Sequence, residues 1–290
     1  MKLGIYSHCT IDTIVYENEQ YEAPGGPGSY CSYCARKQKH DVNLYTKFGQ
    51  NYPLVDFFQQ NKIILHNAES SHNTTHFRIE LDDSDRKLYL EQICEKIDYI
   101  ENDNDGVLIS PVYDEISLET FLKIKNSSDF VFLDPQGFLR DKNAQNEIFL
   151  KKMNLNLENV SAIKTNPDEL HALTGLSSID GMKQLQKFGI ENVILTNKQD
   201  ISLLVKDKIY SIKLPRMTLT DTTGIGDIFS STFSCTMLKE KDFLWALSFA
   251  GGAAQAALES KSFGLEKVPE KSALENNGSY FYNIVEFKQI

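Results

Sequence analysis

Short apolar runs rich in β-branched and aromatic residues punctuate the chain at residues 2–7, 42–47, 106–111, 130–134, 160–164 and 193–196. Both alternating faces of each run are apolar, as a strand buried between two layers of helices requires. Between the runs, apolar positions recur at helical spacing over 29–39, 88–102, 117–125, 168–173, 181–188 and 242–258. Strand and helix in alternation predict the α/β class, with an open, mostly parallel sheet flanked by helices. Two segments break the rhythm. Thr75, Phe77, Ile79 and Leu81 alternate with His76, Arg78, Glu80 and Asp82, and Asp83-Ser84-Asp85 turns the chain into 86–90, which reads as a hairpin with one polar face. A similar ribbon is expected over 11–21. Hairpins inserted apart from a main sheet predict a small β lid, built from about 11–24 and 73–91; an edge extension of the sheet is the alternative. Residues 201–213 form a third hairpin, placed at the sheet edge. With no repeat, low-complexity tract or Pro-rich linker, residues 1–290 read as one domain with that lid.

The composition is that of a folded protein. The 290 residues are 41% hydrophobic and 24% charged, which excludes disorder as the main state. A net charge of −10 repels phosphate polyanions, so neither nucleic acid nor an anionic membrane is an expected partner, and a small molecule is. The most apolar stretch, 244–258, is shorter than the roughly 20 residues of a spanning helix and contains Ser248, Gly251, Gly252 and Gln255. The N-terminus reads as a first strand and not as a signal peptide, and Cys9, Cys31, Cys34, Cys94 and Cys235 lack regular spacing, so a cytoplasmic protein with reduced thiols is expected. Cys31 and Cys34 form a lone C-x-x-C, read as two thiols on a helix.

Chemistry concentrates in Asp221-Thr222-Thr223-Gly224-Ile225-Gly226-Asp227, followed by Ile228, Phe229, Phe233 and Met237 at helical spacing. A Gly turn opening a helix aims unsatisfied N–H groups and the positive dipole end at whatever lies in front, which makes an anion site. A carboxylate beside such a site suits a base that takes a proton from an attacking hydroxyl. On spacing alone, Asp227 as a helix cap is the competing reading. Neither a P-loop nor a dinucleotide fingerprint is present, since Phe229 occupies the last position of the G-x-G-x-x-G pattern.

This segment resembles the D-T-T-G-A-G-D-x-F signature of the ribokinase-like (PfkB) carbohydrate kinases. Gly25-Gly26-Pro27-Gly28 is similar to that family's glycine pair, and Asn166-Pro167-Asp168-Glu169 to its N-x-x-E element, in matching order from Asp12 to about Gly264. The resemblance implies a ribokinase-like fold and a kinase that uses ATP and Mg²⁺. It gives Asp227 the role of general base, and the amides of Ile225, Gly226 and Asp227, in the turn formed by Gly224, that of anion hole for the transferring phosphate. Asn166 and Glu169 would hold Mg²⁺ through water, Thr196 and Thr223 would face the nucleotide, and Asp221 would lie near a monovalent cation such as K⁺. Asp12, Gly25, Gly26 and Tyr30 would meet the polyhydroxylated substrate, with Gln136 and Arg140 as secondary contacts; a Pro-Gly turn with a surface Arg is the plainer reading of the latter pair. A homodimer through the lid remains an open expectation. Two departures stand out. Tyr30 occupies the place of a sugar-binding Asn, and Thr196-Asn197-Lys198-Gln199-Asp200-Ile201 lacks both glycines of a T-x-G-x-x-G element, which leaves the donor less defined than the reaction. Those departures keep a non-catalytic sensor open as the alternative. Uncharged Pro27 after the glycine pair and the aromatic Tyr30 point to an uncharged acceptor: a free sugar, a cyclitol or a nucleoside.

Overall fold

A computed structural model of the chain describes residues 1–16, 19–82, 85–215, 222–260, 262 and 264–290. β1 (Lys2–Tyr6) enters the core directly; β2 (Thr10–Tyr16) and β3 (Glu19–Gly25) leave it before α1 (Gly26–Lys37) and β4 (Asp41–Tyr45) return to it. Next come α2 (Val55–Gln60), β5 (Ile63–His66), then β6 (Thr75–Asp82) and β7 (Asp85–Gln92). The middle of the chain supplies β8 (Gly106–Ile109), α3 (Leu118–Lys125), β9 (Val131–Leu133), α4 (Gln136–Leu139), and the short ribbon β10 (Arg140–Lys142) with β11 (Ile148–Leu150). It continues through β12 (Ala162–Thr165), α5 (Pro167–Thr174), α6 (Ser178–Gln186), β13 (Asn192–Asn197), β14 (Asp200–Val205) and β15 (Lys208–Lys213). The last elements are α7 (Ile225–Glu240), α8 (Phe243–Glu259), α9 (Lys271–Ile284) and β16 (Glu286–Gln289).

Among the described residues the main sheet runs β16-β15-β14-β13-β12-β9-β8-β1-β4-β5, parallel from β13 to β5 and antiparallel from β13 to β16. The parallel strands are apolar on both faces because helices cover both. Leu3, Ile5, Val107, Leu108, Phe132 and Ile163 are fully buried. β2, β3, β6 and β7 form a separate sheet in the order β3-β2-β6-β7, in which β2 and β6 pair in parallel. Phe77 and Leu90 turn inward from it and pack on Val112. The expected ribbon and hairpin thus join each other and not the main sheet; the turn residues 83–84 lie outside the described residues.

Two expectations need correction. The helix expected over 88–102 does not form. β7 runs to Gln92, and the chain beyond it is irregular because other segments satisfy its backbone. The Cys94 N–H donates to Thr75 Oγ1 at 3.0 Å, the Ile97 N–H donates to Glu115 O at 2.8 Å, and Glu95 O meets His8 Nε2 at 2.8 Å. The hairpin at 201–213 is not the sheet edge either: β16 pairs with β15 outside it, with Phe287 against Tyr210. Cys31 and Cys34 lie buried on α1, as expected, with Cys31 Sγ donating to Asp227 O at 3.3 Å.

Candidate active site

Open α/β sheets bind ligands beyond the carboxyl ends of their parallel strands. A cleft of about 270 Å³ lies there, and the small sheet forms its opposite wall. The main sheet side contributes Asp134, Lys164, Asn166 and Thr196; the small sheet contributes Asp12, Phe77, Ile79 and Leu88. The N-terminal ends of α1 and α7 close the remaining side, with Gly26 and Pro27 from one and Gly224, Gly226 and Asp227 from the other.

The start of α7 is set by Gly224, the N-cap, at φ +80°, a conformation in which a Cβ is strained. A Cβ at that position would also lie 2.6 Å from the Tyr30 ring, so glycine is needed twice over. Lys267, buried in the 3-10 turn Gly264–Lys267, donates from Nζ to Thr223 O at 2.8 Å and fastens the turn from behind. Gly226 and Asp227 follow in the first helical turn, where a helix offers its own amides no acceptor. Ile225 departs from expectation: its N–H donates to Thr222 O at 3.3 Å. Among the described residues, the amides of Gly226 and Asp227 in the first helical turn serve as the anion donors at this end.

Asn166 and Glu169 open α5 as a capping box. Asn166 Oδ1 accepts from the Glu169 N–H and Glu169 Oε2 accepts from the Asn166 N–H, both at 2.8 Å. Pro167 takes the first helical position, where its missing N–H costs nothing. Glu169 is 8% exposed, so its carboxylate is held inside the cleft wall and not solvated.

At the far end, Asp12 Oδ1 accepts from Thr10 Oγ1 at 2.8 Å, and a Cβ on Gly25 would lie 2.1 Å from Asp12 Oδ2. The glycine pair thus makes room for this carboxylate. Arg140 is anchored by Nη1 donating to Val112 O at 2.9 Å and Nη2 donating to Gln136 Oε1 at 2.7 Å. It is a positioned cation, not a surface side chain.

Three carboxylates of the cleft, Asp12, Asp134 and Glu169, are buried, and Asp227 is half-buried. Burial pushes Asp227 up to about 7, against the pull of Lys164, and raises Asp12 to about 6, against the Thr10 hydrogen bond. Burial together with the Asp134 charge brings Glu169 to about 7. Burial opposes the charge on Lys164, yet Asp134, Glu169 and Asp227 hold its ammonium above the ordinary lysine range. Its Nζ lies 2.6 Å from Asp134 Oδ2. The arrangement can accept a proton from a hydroxyl, since a carboxylate near neutrality is poised for that transfer, beside amides that receive an anion.

The structure brings together Asp12, Gly26, Gln136, Arg140, Asn166, Glu169, Thr196, Thr223, Gly224, Gly226 and Asp227 along one cleft, with Gly25 behind Asp12. Asp227 lies in the first turn of α7 but is not its cap. Tyr30 does not face the cleft: it is 1% exposed, packed with Ile228 and Ala253 under the Gly224 turn. Its size serves that packing and offers no substrate contact. Asp221 lies outside the described residues. Lys164 and Asp134 were not singled out from the sequence as site residues, because a Lys ending a strand carries no periodic signal; a lysine inside an otherwise apolar run was the available clue. Phe77, Ile79 and Leu88 were legible only as the inner face of a hairpin.

A family model described as pfkB family carbohydrate kinase matches residues 31–270. Ribokinase of Arabidopsis thaliana is 24% identical over 182 residues, covering 59% of this chain and 45% of that relative, so the match spans under half of the relative's length. Among solved structures, a pyrophosphate-dependent kinase in the ribokinase family, complexed with a pyrophosphate analog and myo-inositol, superposes with a TM-score of 0.81 at 17% identity over 94% of this chain and 99% of its own. Arabidopsis thaliana ribokinase complexed with ribose and ATP superposes at 0.76 and 17% identity over 95% and 98%. These likenesses place the fold among ribokinase-family structures, and the family model, matched over most of the length, makes this chain a member of the pfkB family of carbohydrate kinases.

Proposed function

We propose that this chain is a kinase that moves the terminal phosphoryl group of ATP to a hydroxyl of an uncharged polyhydroxylated compound: a sugar, a cyclitol or a nucleoside. The observation that carries the reading is Asp227, a carboxylate raised to about 7 in the cleft wall beside the first-turn amides of α7, with Asp12 in the same cleft to accept hydrogen bonds from hydroxyls. Asp227 takes the proton of the acceptor hydroxyl as its oxygen attacks, and the Gly226 and Asp227 amides receive the charge that develops on the phosphoryl group.

Mg²⁺ fits this donor set. The ligands on offer are oxygens, and the capping box engages Glu169 Oε2 and leaves Oε1 outside it. That is the pattern for an ion retaining most of its water shell, with Asn166 and Glu169 holding it through water. When bound, Mg²⁺ neutralises charge on the donor phosphates. An uncharged acceptor is supported by the apolar wall of Phe77, Ile79 and Leu88, which suits the C–H face of a ring; Arg140 is held by Val112 and Gln136, and Arg86 also lines this end of the cleft.

A second donor, pyrophosphate, has two observations in its favour. The β13–β14 turn, where glycines of the nucleotide element were expected, is a tight Lys198-Gln199 connection with Lys198 at φ +55°, and a neighbour of TM-score 0.81 is described as pyrophosphate-dependent. Initial rates with ATP or pyrophosphate against free sugars, cyclitols, nucleosides and phosphosugars test both points. An uncharged acceptor with the highest kcat/KM is expected; a phosphosugar with a higher value overturns the acceptor class, and no transfer from either donor overturns the kinase reading.

A further inference from the structure

Resting on the kinase reading, we infer that Lys164 is a further catalytic residue: its ammonium contacts the transferring phosphoryl group between Glu169 and the first turn of α7, and Asp134 is the positioning residue that holds it there. Lys164 and Asp134 come from adjacent strands. Ala162 pairs with Phe132 and Ile163 with Leu133, so the next step of the register sets Lys164 opposite Asp134, at the sheet end where the cleft opens. The two side chains are nearly buried, and Nζ lies 2.6 Å from Asp134 Oδ2.

Burying a lysine is costly, and a carboxylate partner offsets only part of that cost. Here Asp134 pairs with the ammonium at 2.6 Å, and Glu169, Asp227 and the Cys31 thiol of α1 lie within electrostatic reach of it. Lys164, Asp134, Glu169 and Asp227 all line the ligand cleft, so this ammonium stands where a ligand binds and not in the closed core. A Cβ on Gly226 would lie 3.1 Å from Nζ, which puts the ammonium beside the backbone whose amides serve as anion donors. An ammonium has three protons to donate; Asp134 engages one side, and the side toward Gly226 faces the cleft.

In the step, the acceptor O–H bond breaks and its proton passes to the Asp227 carboxylate. The acceptor oxygen forms a bond to phosphorus as the bond from phosphorus to the leaving phosphate oxygen breaks, and that oxygen keeps the electron pair. Lys164 stays protonated throughout and contributes charge, not a proton. Its charge also favours the ionised form of Asp227.

The test compares wild type with Lys164→Met, Lys164→Arg and the double variant Lys164→Met/Asp134→Asn, in which no unpaired charge is left buried. Thermal melting establishes folding. The best acceptor from the panel is then used for rates across pH, and calorimetry measures binding of pyrophosphate and of ATP. Lys164→Met is expected to lower kcat by roughly 10²–10³, as loss of one donor to a transition-state anion does. The acceptor KM should change less than about threefold, since Lys164 does not face Asp12. The acid limb of kcat/KM should move up by about one pH unit, because a cation near Asp227 is gone. Lys164→Arg should recover part of the rate and of the donor affinity, and the double variant should stay slow. A folded Lys164→Met or double variant with kcat within about threefold of wild type overturns the proposal. So does a slow Lys164→Met whose acid limb is unmoved, and so does a double variant that fails to fold, since the pair is then structural. Wild type without turnover overturns the kinase reading instead.

Discussion

Asp227 lies half-buried at the start of a helix, and burial holds its proton more tightly in the folded chain than in the unfolded one. The same holds for Asp12, raised to about 6, and Glu169, raised to about 7. The sign follows from linkage: a carboxyl with a raised folded-state pKa contributes stability that is complete below its unfolded value, about 4, and is lost as pH rises through its folded value. Asp227→Asn removes one such ionisation. Its Tm relative to wild type is therefore expected to rise from pH 5.5 to pH 8 in ligand-free protein, as measured by calorimetry. A difference that is flat across that range contradicts the raised pKa. The same carboxyl sets the acid limb of kcat/KM near pH 7 in the wild-type enzyme, since the base acts only when ionised.

At the scale of elements, the Asn166-Pro167-Asp168-Glu169 segment does two things at once. It closes the first turn of α5 reciprocally, and that closure fixes the Glu169 carboxylate in the cleft wall. Asn166→Ala is expected to destabilise the fold by about 1 kcal/mol, the usual worth of a cap, and to weaken the dependence of activity on Mg²⁺ concentration; denaturant unfolding and a Mg²⁺ titration check both. The β6–β7 hairpin carries Phe77, Ile79 and Leu88 over the cleft. Replacing 76–91 by a short Gly/Ser loop is expected to raise the acceptor KM and to increase donor hydrolysis relative to transfer, because water then enters the site. Unchanged kinetics would reduce the hairpin to a structural edge. The hairpin was readable from its strict alternation, and so were α1, α3, α5, α6 and α8 from their apolar spacing. The end of β7 and the segment after it were not, because Leu90, Ile93, Cys94, Ile97 and Ile100 fall at helical spacing, while bonds from Thr75, His8 and Glu115 decide the conformation. α9 gave no clear pattern, with Asn276, Asn277 and Gly278 at its centre; packing of Leu274 and Phe281 and the stack of Tyr282 on Trp245, 4.1 Å between centroids, override that weak propensity.

Across the whole molecule, a chain of net charge −10 lines its cleft with Asp12, Asp134, Glu169 and Asp227 and sets Arg86, Arg140 and Lys164 among them. Asp134, Glu169 and Asp227 gather around Lys164 at the phosphoryl end, while Asp12 at the hydroxyl-binding end lies within electrostatic reach of Arg86 and Arg140. The motif residues were legible in the sequence because each needs a particular backbone: a left-handed Gly224, a glycine against Asp12, a capping box at Asn166. Tyr30 and Lys164 were not, since what they do depends on which strand or helix stands opposite, and that is a property of the assembled sheet. The central claim is that Asp227 is the base of a phosphoryl transfer to a hydroxyl. The most direct measurement is mass-spectrometric detection of the phosphate ester formed from the best acceptor, by wild type and by Asp227→Asn at equal concentration. A product heavier by one phosphoryl group with wild type, and a kcat lower by about 10²–10⁴ with unchanged acceptor KM for the variant, is the predicted result; near-equal product formation by both proteins contradicts it.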